Sequence, residues 1–507
     1  MTFKSYAWIL PLIIIWPVLG AIVISLLPKV FINKIIKVAL FIEAISLALG
    51  VIILFLFHYN YSSHLQFVLD KMWIPSLSIH LNLAIDGLSL SLLELSLLTF
   101  FSATVYSYAY PPKDSPRAFF TMILISQSAI IGSFCAQDLL LFFFFFELIL
   151  IPIFLLISKW GGPARQKAAM KFGIFTLVGS FFILFGFLTL FFLPSHSFEI
   201  PILIKDAKLL PVEDQMIIFG LLSIGFAIKV PVFPLHSWLP DAHSEAPTAV
   251  SVILAAVVLK LGLYGFMRIA IPILPLAAIR FAPWMGAIGV FSILYGALAC
   301  FGQKDLKRLV AYSSVSHMGF ALLGIATLTS LGFEAAIFIM IAHGLITSML
   351  FFLTNSIQQR TNTRDLDRLG GLSQLTPKLG WVIGFSTIAS AGIPGLAGFW
   401  GEISSIVSSY IPALSTTKLE FRIFMVLAAI GTALAAGYLF KMFTKVCWGR
   451  PHGLVSFTKI LDINTVEWIS WIPLMVLITI LGIAPQVLTT FTNPWSQHLA
   501  QLVQHFI

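Results

Sequence analysis

The stretch AIKVPVFPLHSWLPDAHSEAPTA, residues 227–249, places a lysine beside the helix-breaking residues of a hydrophobic chain. Lys229 ends an apolar run and precedes Pro231, Pro234 and Pro240. Proline removes a backbone donor and clashes with the preceding turn, so the carbonyl groups that it frees need protein or water as partners. The stretch therefore predicts a membrane helix that is interrupted at a polar, hydrated place.

The composition indicates a polytopic membrane protein. The 507 residues are 59% hydrophobic and only 10% charged, with a mean hydropathy of +0.99, whereas about a quarter of the residues in a soluble domain are charged. The first apolar stretch is long enough to span a bilayer, so we expect no cleaved signal peptide. We interpret the net charge of +9 as membrane topology and expect the lipid bilayer, not nucleic acid, as the partner.

Runs of about 20 apolar residues predict about fourteen transmembrane helices in an all-α fold. The spans are placed near residues 8–27, 35–57, 87–110, 119–137, 139–158, 170–193, 215–236, 247–271, 284–303, 307–328, 333–357, 379–411, 422–447 and 468–491. Of the 30 Lys and Arg residues, 20 lie in connections that follow odd-numbered spans. Eight lie before the first span or after even-numbered spans, and Lys229 and Lys260 lie inside spans. By the positive-inside rule, the odd connections are expected to face the cytoplasm or its organellar equivalent, and both termini the outer side.

Six ionisable side chains inside the spans are candidates for function, because a charge in hydrocarbon is costly unless it faces protein or water. They are Glu147, Lys229, Lys260, His317, His343 and Glu402. Glu147 and Lys229 could form a purely structural ion pair, and the two histidines could be satisfied core residues. Lys260 lies deep in its span without an obvious local partner. The spread of these groups over spans five to twelve favours a relay.

A second interrupted span carries the sequence SAGIPGLAGFWGE, residues 390–402. Pro231 and Pro394 are an odd number of spans apart, which inverts the second copy in the membrane, as an inverted-repeat transporter requires. We therefore expect two inverted five-helix repeats with breaks in spans seven and twelve. The predicted domains are three N-terminal helices over 1–118, repeats over 119–271 and 284–447, and a last helix with a tail over 468–507.

No metal or nucleotide site is predicted. Cys135, Cys300 and Cys447 are too widely spaced to ligate zinc or an iron–sulfur cluster and are expected to pack as small apolar residues. A metal site at His236 and His243 is an alternative, but we expect the acids beside them, Asp241 and Glu245, to cap the next helix. The sequence has no glycine-rich phosphate-binding motif.

Five long segments make the chain similar to the antiporter-like membrane subunits of respiratory complex I. The resemblance covers spans four to thirteen, through FFELILIPIFLLISKWGG, IKVPVFPLHSWLPDAHSEAPTAVSVILAAVVLKLGLYGFMRI, KDLKRLVAYSSVSHMG, IAHGLITSMLFFL and GIPGLAGFWGE. It is closest to the branch that comprises the bacterial M-type subunit, mitochondrial chain 4 and their cyanobacterial and plastid equivalent. The sibling L-like and N-like subunits have a lysine where Glu402 stands. The L-like subunit also has a long lateral helix, for which the tail here is too short.

The resemblance implies a role for each candidate residue. Glu147 and Lys229 match a pair whose opening and closing gates proton transfer, and Lys260 matches the central proton carrier. The polar bridge along the axis is matched by His317 and His343, and the terminal group by Glu402. The segment between spans seven and eight is expected to be a structural link.

The implied function is proton translocation within a multisubunit NAD(P)H- or ferredoxin-driven quinone oxidoreductase. The resemblance implies L-like and N-like subunits as partners, and flavin, iron–sulfur clusters and quinone in other subunits, with no cofactor or redox centre in this chain. The membrane would be a bacterial plasma or thylakoid membrane, or an organellar inner or thylakoid membrane. An Mrp-type sodium/proton antiporter subunit is the main alternative. A self-contained membrane oxidoreductase lacks support because cysteine clusters are missing, and an inert scaffold leaves Lys260 unexplained.

Overall fold

The computed structural model describes residues 6–28, 32–207, 210–449 and 460–507, and most of them are helical. Residues 1–5, part of the terminus that the charge pattern assigns to the outer side, lie outside the described residues. The helices are α1 (Ile9–Leu26), α2 (Ile32–Leu56), α3 (Gly87–Ala109), α4 (Pro116–Cys135), α5 (Leu139–Leu148), α6 (Leu150–Trp160), α7 (Arg165–Phe191), α8 (Ile200–Asp206), α9 (Val212–Lys229), α10 (Trp238–Glu245), α11 (Thr248–Ile253), α12 (Lys260–Gly265), α13 (Ile271–Ile273), α14 (Pro275–Phe301), α15 (Leu306–Ala326), α16 (Ser330–Thr361), α17 (Leu372–Leu375), α18 (Pro377–Ser390), α19 (Ala397–Ser408), α20 (Lys418–Cys447), α21 (Thr465–Ile483) and α22 (Gln486–Gln504).

Twelve helical segments in the described ranges are long and apolar enough to cross a membrane. They coincide with twelve of the fourteen predicted spans. One of them, Leu139–Trp160, joins α5 and α6, and another, Thr248–Ile273, joins α11, α12 and α13. Uninterrupted apolar runs were therefore sufficient to locate these helices.

The two remaining predicted spans are seven and twelve, which the sequence predicted to be interrupted. Helix α9 ends at Lys229, two residues before Pro231. The other is divided between α18 and α19, and the connection contains Gly392 and Gly395 with φ of +68° and +98°. Such left-handed backbone favours glycine. The chain thus breaks where the proline positions predicted.

A two-stranded antiparallel sheet is a feature that the all-α prediction missed. Strand β1 (Gln66–Ile74) pairs with β2 (Ile79–Ile85) between α2 and α3. The segment lies between two spans, and the polar and apolar residues of β2 largely alternate (IHLNLAI), a period typical of a strand with one face covered.

The prediction of one last span over 468–491 was wrong in its boundary. Helix α21 ends at Ile483, and α22 begins directly after Pro485 and packs against α16 and α3. The side chain of Glu334, on α16, accepts hydrogen bonds from Thr492 (2.5 Å) and Ser496 (3.0 Å) of α22. These polar contacts hold the helix that follows the last apolar run.

The capping role expected of two acids was also wrong. Asp241 instead forms ion pairs with Lys171 (2.7 Å) and Arg308 (3.2 Å). Glu245 accepts a hydrogen bond from the backbone N–H of Ala164 at 2.8 Å. Both acids therefore tie α10 to neighbouring helices.

Helix α16 lies at the centre of the protein. It has 32 residues, its most apolar 18-residue window is completely buried, and it packs against α15, α19 and the π-helical turn before α12. The three cysteines are also buried and free, as their predicted packing role requires. Side chains that α16 directs at its neighbours are consequently inside the protein and shielded from lipid.

Candidate functional site

Lys260 lies at a local irregularity of its helix. Two π-helical turns, Leu254–Val258 and Phe266–Ala270, flank α12, and Lys260 is the first residue of α12. A π-helical turn shifts the backbone hydrogen bonds by one residue and occurs frequently at functional sites. The Lys260 side chain is completely buried, and its Nζ donates a 2.5 Å hydrogen bond to the carbonyl of Ala255 in the first π turn.

The same nitrogen contacts a histidine of the central helix. Lys260 Nζ lies 2.7 Å from Nδ1 of His343, on α16. The Thr347 hydroxyl, one turn further along α16, donates to the His343 carbonyl and lies 3.5 Å from the same Nδ1. The two residues that the sequence placed in spans eight and eleven therefore meet directly.

His317 and Glu402 continue this line of polar groups. The rings of His343 and His317 have centroids 5.7 Å apart, and Nδ1 of His317, on α15, lies 2.8 Å from Oε1 of Glu402, on α19. All four groups from Lys260 to Glu402 are at least nine-tenths buried. We call Lys260, His343, His317 and Glu402 the central row.

A small cavity lies beside the two histidine rings. Its walls include His317, His343, Ser390 and Glu402, and it has about 20 Å³ of space for water centres. That is enough for about one water molecule. The Nε2 atoms of both histidines are buried and have no hydrogen-bond partner among the described residues. A water molecule here could bridge the two rings.

Glu147 and Lys229 lie close together without touching. The hydroxyl of Ser180, on α7, donates to the Glu147 carboxylate, while Lys229 Nζ lies 4.4 Å from the centroid of the Phe146 ring. Within the described part of the chain, no ion pair of 4.0 Å or less joins Glu147 to Lys229, although they interact electrostatically. We call this arrangement, with the two charged groups more than 4.0 Å apart, open.

The open pair is not hydrogen-bonded to the central row. Between α9 and α12, Gly262 packs closely against Val230 and Phe226, and its small size permits the close approach. The backbone of α9 therefore lies directly against α12 at this point.

His243 is a further buried histidine, in the segment that the sequence analysis expects to be a structural link. The ring is fully buried, stacks on Phe351 with a centroid distance of 4.7 Å, and neither nitrogen has a partner within the described ranges. Burial, together with the charges of Lys307 and Lys260, lowers the pKa of His243 to about 3. Lys307 in turn lines a large cavity with Lys159 and Glu245. The burial of an unpaired imidazole near Lys260 became evident only from the fold.

Other charged groups in the apolar helices were also missed or misplaced. Glu43, on α2, is fully buried and accepts a 2.6 Å hydrogen bond from Gln127. Arg268, which the sequence placed in an outer connection, lies in the second π turn and forms a buried 2.5 Å ion pair with Asp86, the N-cap of α3. The spans alone did not show which charges pair inside the protein.

Comparison with known proteins shows the family of this chain. The family described as "NADH:quinone oxidoreductase/Mrp antiporter, TM" matches residues 136–432. NAD(P)H-quinone oxidoreductase chain 4 1 of Synechococcus sp. (strain JA-2-3B'a(2-13)) is 39% identical over 493 residues, which cover 94% of this chain and 89% of the relative. The chain belongs to the NAD(P)H-quinone oxidoreductase chain 4 family.

Membership of the chain 4 family confirms the resemblance that the motifs indicated. A chain in the structure of respiratory complex I from Thermus thermophilus with bound NADH has a TM-score of 0.86 and 27% identity, with 97% of this chain and 99% of that chain covered. A chain of the Mrp complex from Dietzia sp. DQ12-45-1b has a TM-score of 0.84 but 22% identity, and this chain covers 52% of it. The Mrp likeness shows a shared fold alone.

Proposed function

We propose that this chain is a proton-translocating membrane subunit of an NAD(P)H-quinone oxidoreductase. The observation that carries the proposal is the central row, four buried ionisable groups from four helices in nearly continuous contact. Ionisable groups inside a membrane protein are expensive to bury and mark ion or proton pathways. Membership of the chain 4 family supports the same function.

The atoms of the central row are arranged for proton transfer in steps. Lys260 gives a proton to Nδ1 of His343, which releases its other proton from Nε2 toward the cavity. A water molecule there takes that proton and gives one to Nε2 of His317, whose Nδ1 proton then passes to Glu402. Each histidine uses Nδ1 for a protein contact and leaves Nε2 free for water, as this order requires.

The pair Glu147 and Lys229 supplies the control. When the pair is closed, the carboxylate balances the ammonium locally. When it is open, as here, the Lys229 charge is less compensated and disfavours a second positive charge at Lys260. Lys260 then releases its proton toward His343. The breaks around Pro231 provide the backbone freedom for Lys229 to move between these positions.

We further propose that the neutral ring of His243 relays protons to Lys260, taking up a proton on one nitrogen as it releases one from the other. It lies near both Lys260 and Lys307 and has two unpaired ring nitrogens among the described contacts. Lys307 borders the cavity that also contains Lys159 and Glu245. Protons would then enter from the side of the positively charged connections, which the positive-inside rule assigns to the cytoplasm or its organellar equivalent.

The finer architecture belongs to the same proposal. Helix α9 and the pair α18 and α19 act as interrupted spans, which together with the twelve continuous segments give fourteen. The five-helix segments over 119–271 and 284–447 are inverted repeats, and both termini lie on the outer side. L-like and N-like subunits are the neighbours in the membrane. Flavin, iron–sulfur clusters and quinone are bound by other subunits, and this chain has no redox centre.

The test is to purify the intact assembly through a tag on this chain and to reconstitute it in vesicles. We expect co-purifying flavoprotein and iron–sulfur subunits, together with proton movement that starts only when a reduced donor and a quinone are added. Proton movement driven by a sodium gradient alone, without donor and without redox subunits, would instead identify an Mrp-type antiporter and contradict the proposal.

A further inference from the structure

A cluster of three potential metal ligands lies apart from the central row. Asp70, His80 and Glu199 each offer one ligand atom, and these atoms all lie within 4.8 Å of one another. Nδ1 of His80 is 2.7 Å from Oδ1 of Asp70, and Nε2 of His80 is 3.9 Å from Oε1 of Glu199. The side chain of Asp70 is 43% exposed, that of His80 21% and that of Glu199 15%. The aqueous phase therefore reaches the cluster.

The register of the β-hairpin builds the cluster. Asp70 pairs with Asn82 and Met72 with His80, and residues two apart on a strand share a face. Asp70, His80 and Asn82 therefore lie on one face of the hairpin. Glu199, which directly precedes α8, approaches the same face and accepts a 2.8 Å hydrogen bond from Asn82 Nδ2.

Asn82 provides an independent sign that this arrangement can bind a ligand. The residue is only 6% exposed, and its Oδ1 has no donor among the described residues. Buried polar atoms are nearly always satisfied by protein, water or an ion. The neighbours of Asn82 are the carboxylates of Asp70 and Glu199 and the imidazole of His80. Within the described ranges, neither carboxylate forms an ion pair with Lys or Arg. The excess negative charge favours a cation.

We propose that Asp70, His80 and Glu199 bind Zn²⁺ from the aqueous phase, with water in the remaining position. One imidazole and two carboxylates are ligands that Zn²⁺ accepts, at about 2.0–2.2 Å from each ligand atom. Small side-chain rotations from the present contacts would open the required space. The bound ion would join the hairpin to the segment before α8, which also pairs with Asp138 at the start of α5.

Equilibrium dialysis of the purified assembly against Zn²⁺, with metal content measured by mass spectrometry, tests the site. We compare the unaltered assembly with His80→Gln, Glu199→Gln and the conservative Asp70→Asn. His64→Gln is the matched control, because His64 is an exposed histidine in the same connection between α2 and α3. We expect one Zn²⁺ fewer per chain, or an affinity at least about tenfold weaker, in the three variants and no change in the control.

A second measurement protects the test against misfolding. Substitution of Co²⁺ for Zn²⁺ should give a visible absorption spectrum that is altered in Asp70→Asn and retained in His64→Gln. Unchanged Zn²⁺ binding and an unchanged Co²⁺ spectrum in correctly assembled Glu199→Gln and His80→Gln variants would overturn the proposal. Neither result depends on proton translocation, so the site and the proposed function are tested separately.

Discussion

Nζ of Lys260 and Nδ1 of His343 lie 2.7 Å apart and share a hydrogen bond between two basic side chains. The contact cannot hold both groups fully protonated, because both atoms would then be donors. It is therefore a place where a proton can pass from one residue to the other over a short distance. This relationship links a fully buried lysine to the central helix.

Replacing His343 by Leu should break the row at this contact. The variant places an apolar side chain in a largely apolar surrounding, so we expect it to assemble. Donor-driven proton uptake should fall by at least about tenfold, since removal of a positioned acid–base group usually costs about a hundredfold or more. Proton uptake by vesicles is the measurement. His498→Leu, at an exposed histidine on α22, should have little effect. Equal uptake in the two variants would show that His343 only packs.

Glu402 ends the row, and its substitutions separate charge from hydrogen bonding. Gln keeps an acceptor for His317 but cannot take up a proton, so Glu402→Gln should impair proton transfer strongly. Lys can titrate, as in the sibling subunits that the resemblance indicates, so Glu402→Lys should retain part of the activity. The measurement is the number of protons moved per electron. The control is Glu420→Gln, at an exposed glutamate of α20. If both Glu402 variants fail equally, the negative charge itself is required.

The sequence predicted the members of the central row but not their contacts. Apolar run length located most spans, and the cost of burying Lys260 and Glu402 identified them as candidates. The π-helical turn before Lys260 and the stacking of His243 on Phe351 depend on tertiary packing, which periodicity does not contain. Membrane-length apolar runs do not predict the hairpin, because its strands are much shorter than a span and partly polar.

The pair Glu147 and Lys229 should control turnover although neither residue touches the central row. Glu147→Ala and Lys229→Ala should each reduce both quinone reduction and proton uptake severely, and Glu147→Asp should retain much of each because the charge persists. Ser180→Ala removes the hydroxyl that holds Glu147 in the open position, so it should give a milder change. Assembled alanine variants with the full quinone-reduction rate and full pumping would show that the pair is merely structural.

The buried ion pair of Arg268 and Asp86 should stabilise the folded protein. Its two side chains are 9% and 2% exposed, and Arg268→Met leaves the Asp86 carboxylate uncompensated, at a cost of about 3–5 kcal/mol for a buried pair. Thermal unfolding of the purified assembly should shift to lower temperature. The double variant that also carries Asp86→Asn should recover part of the lost stability. The control Arg280→Met, at an exposed arginine, should lose no stability. An Arg268→Met variant as stable as Arg280→Met would contradict this interpretation.

The most direct test of proton translocation through this chain is the number of protons taken up per electron in Lys260→Met vesicles. Methionine approximates the length of the lysine side chain but cannot carry a proton, and it suits the buried apolar position. Lys205→Met, at an exposed lysine of α8, is the matched control. We predict that Lys260→Met assembles and moves clearly fewer protons per electron than the control. An unchanged ratio in the assembled Lys260→Met variant would contradict the central row as a proton pathway.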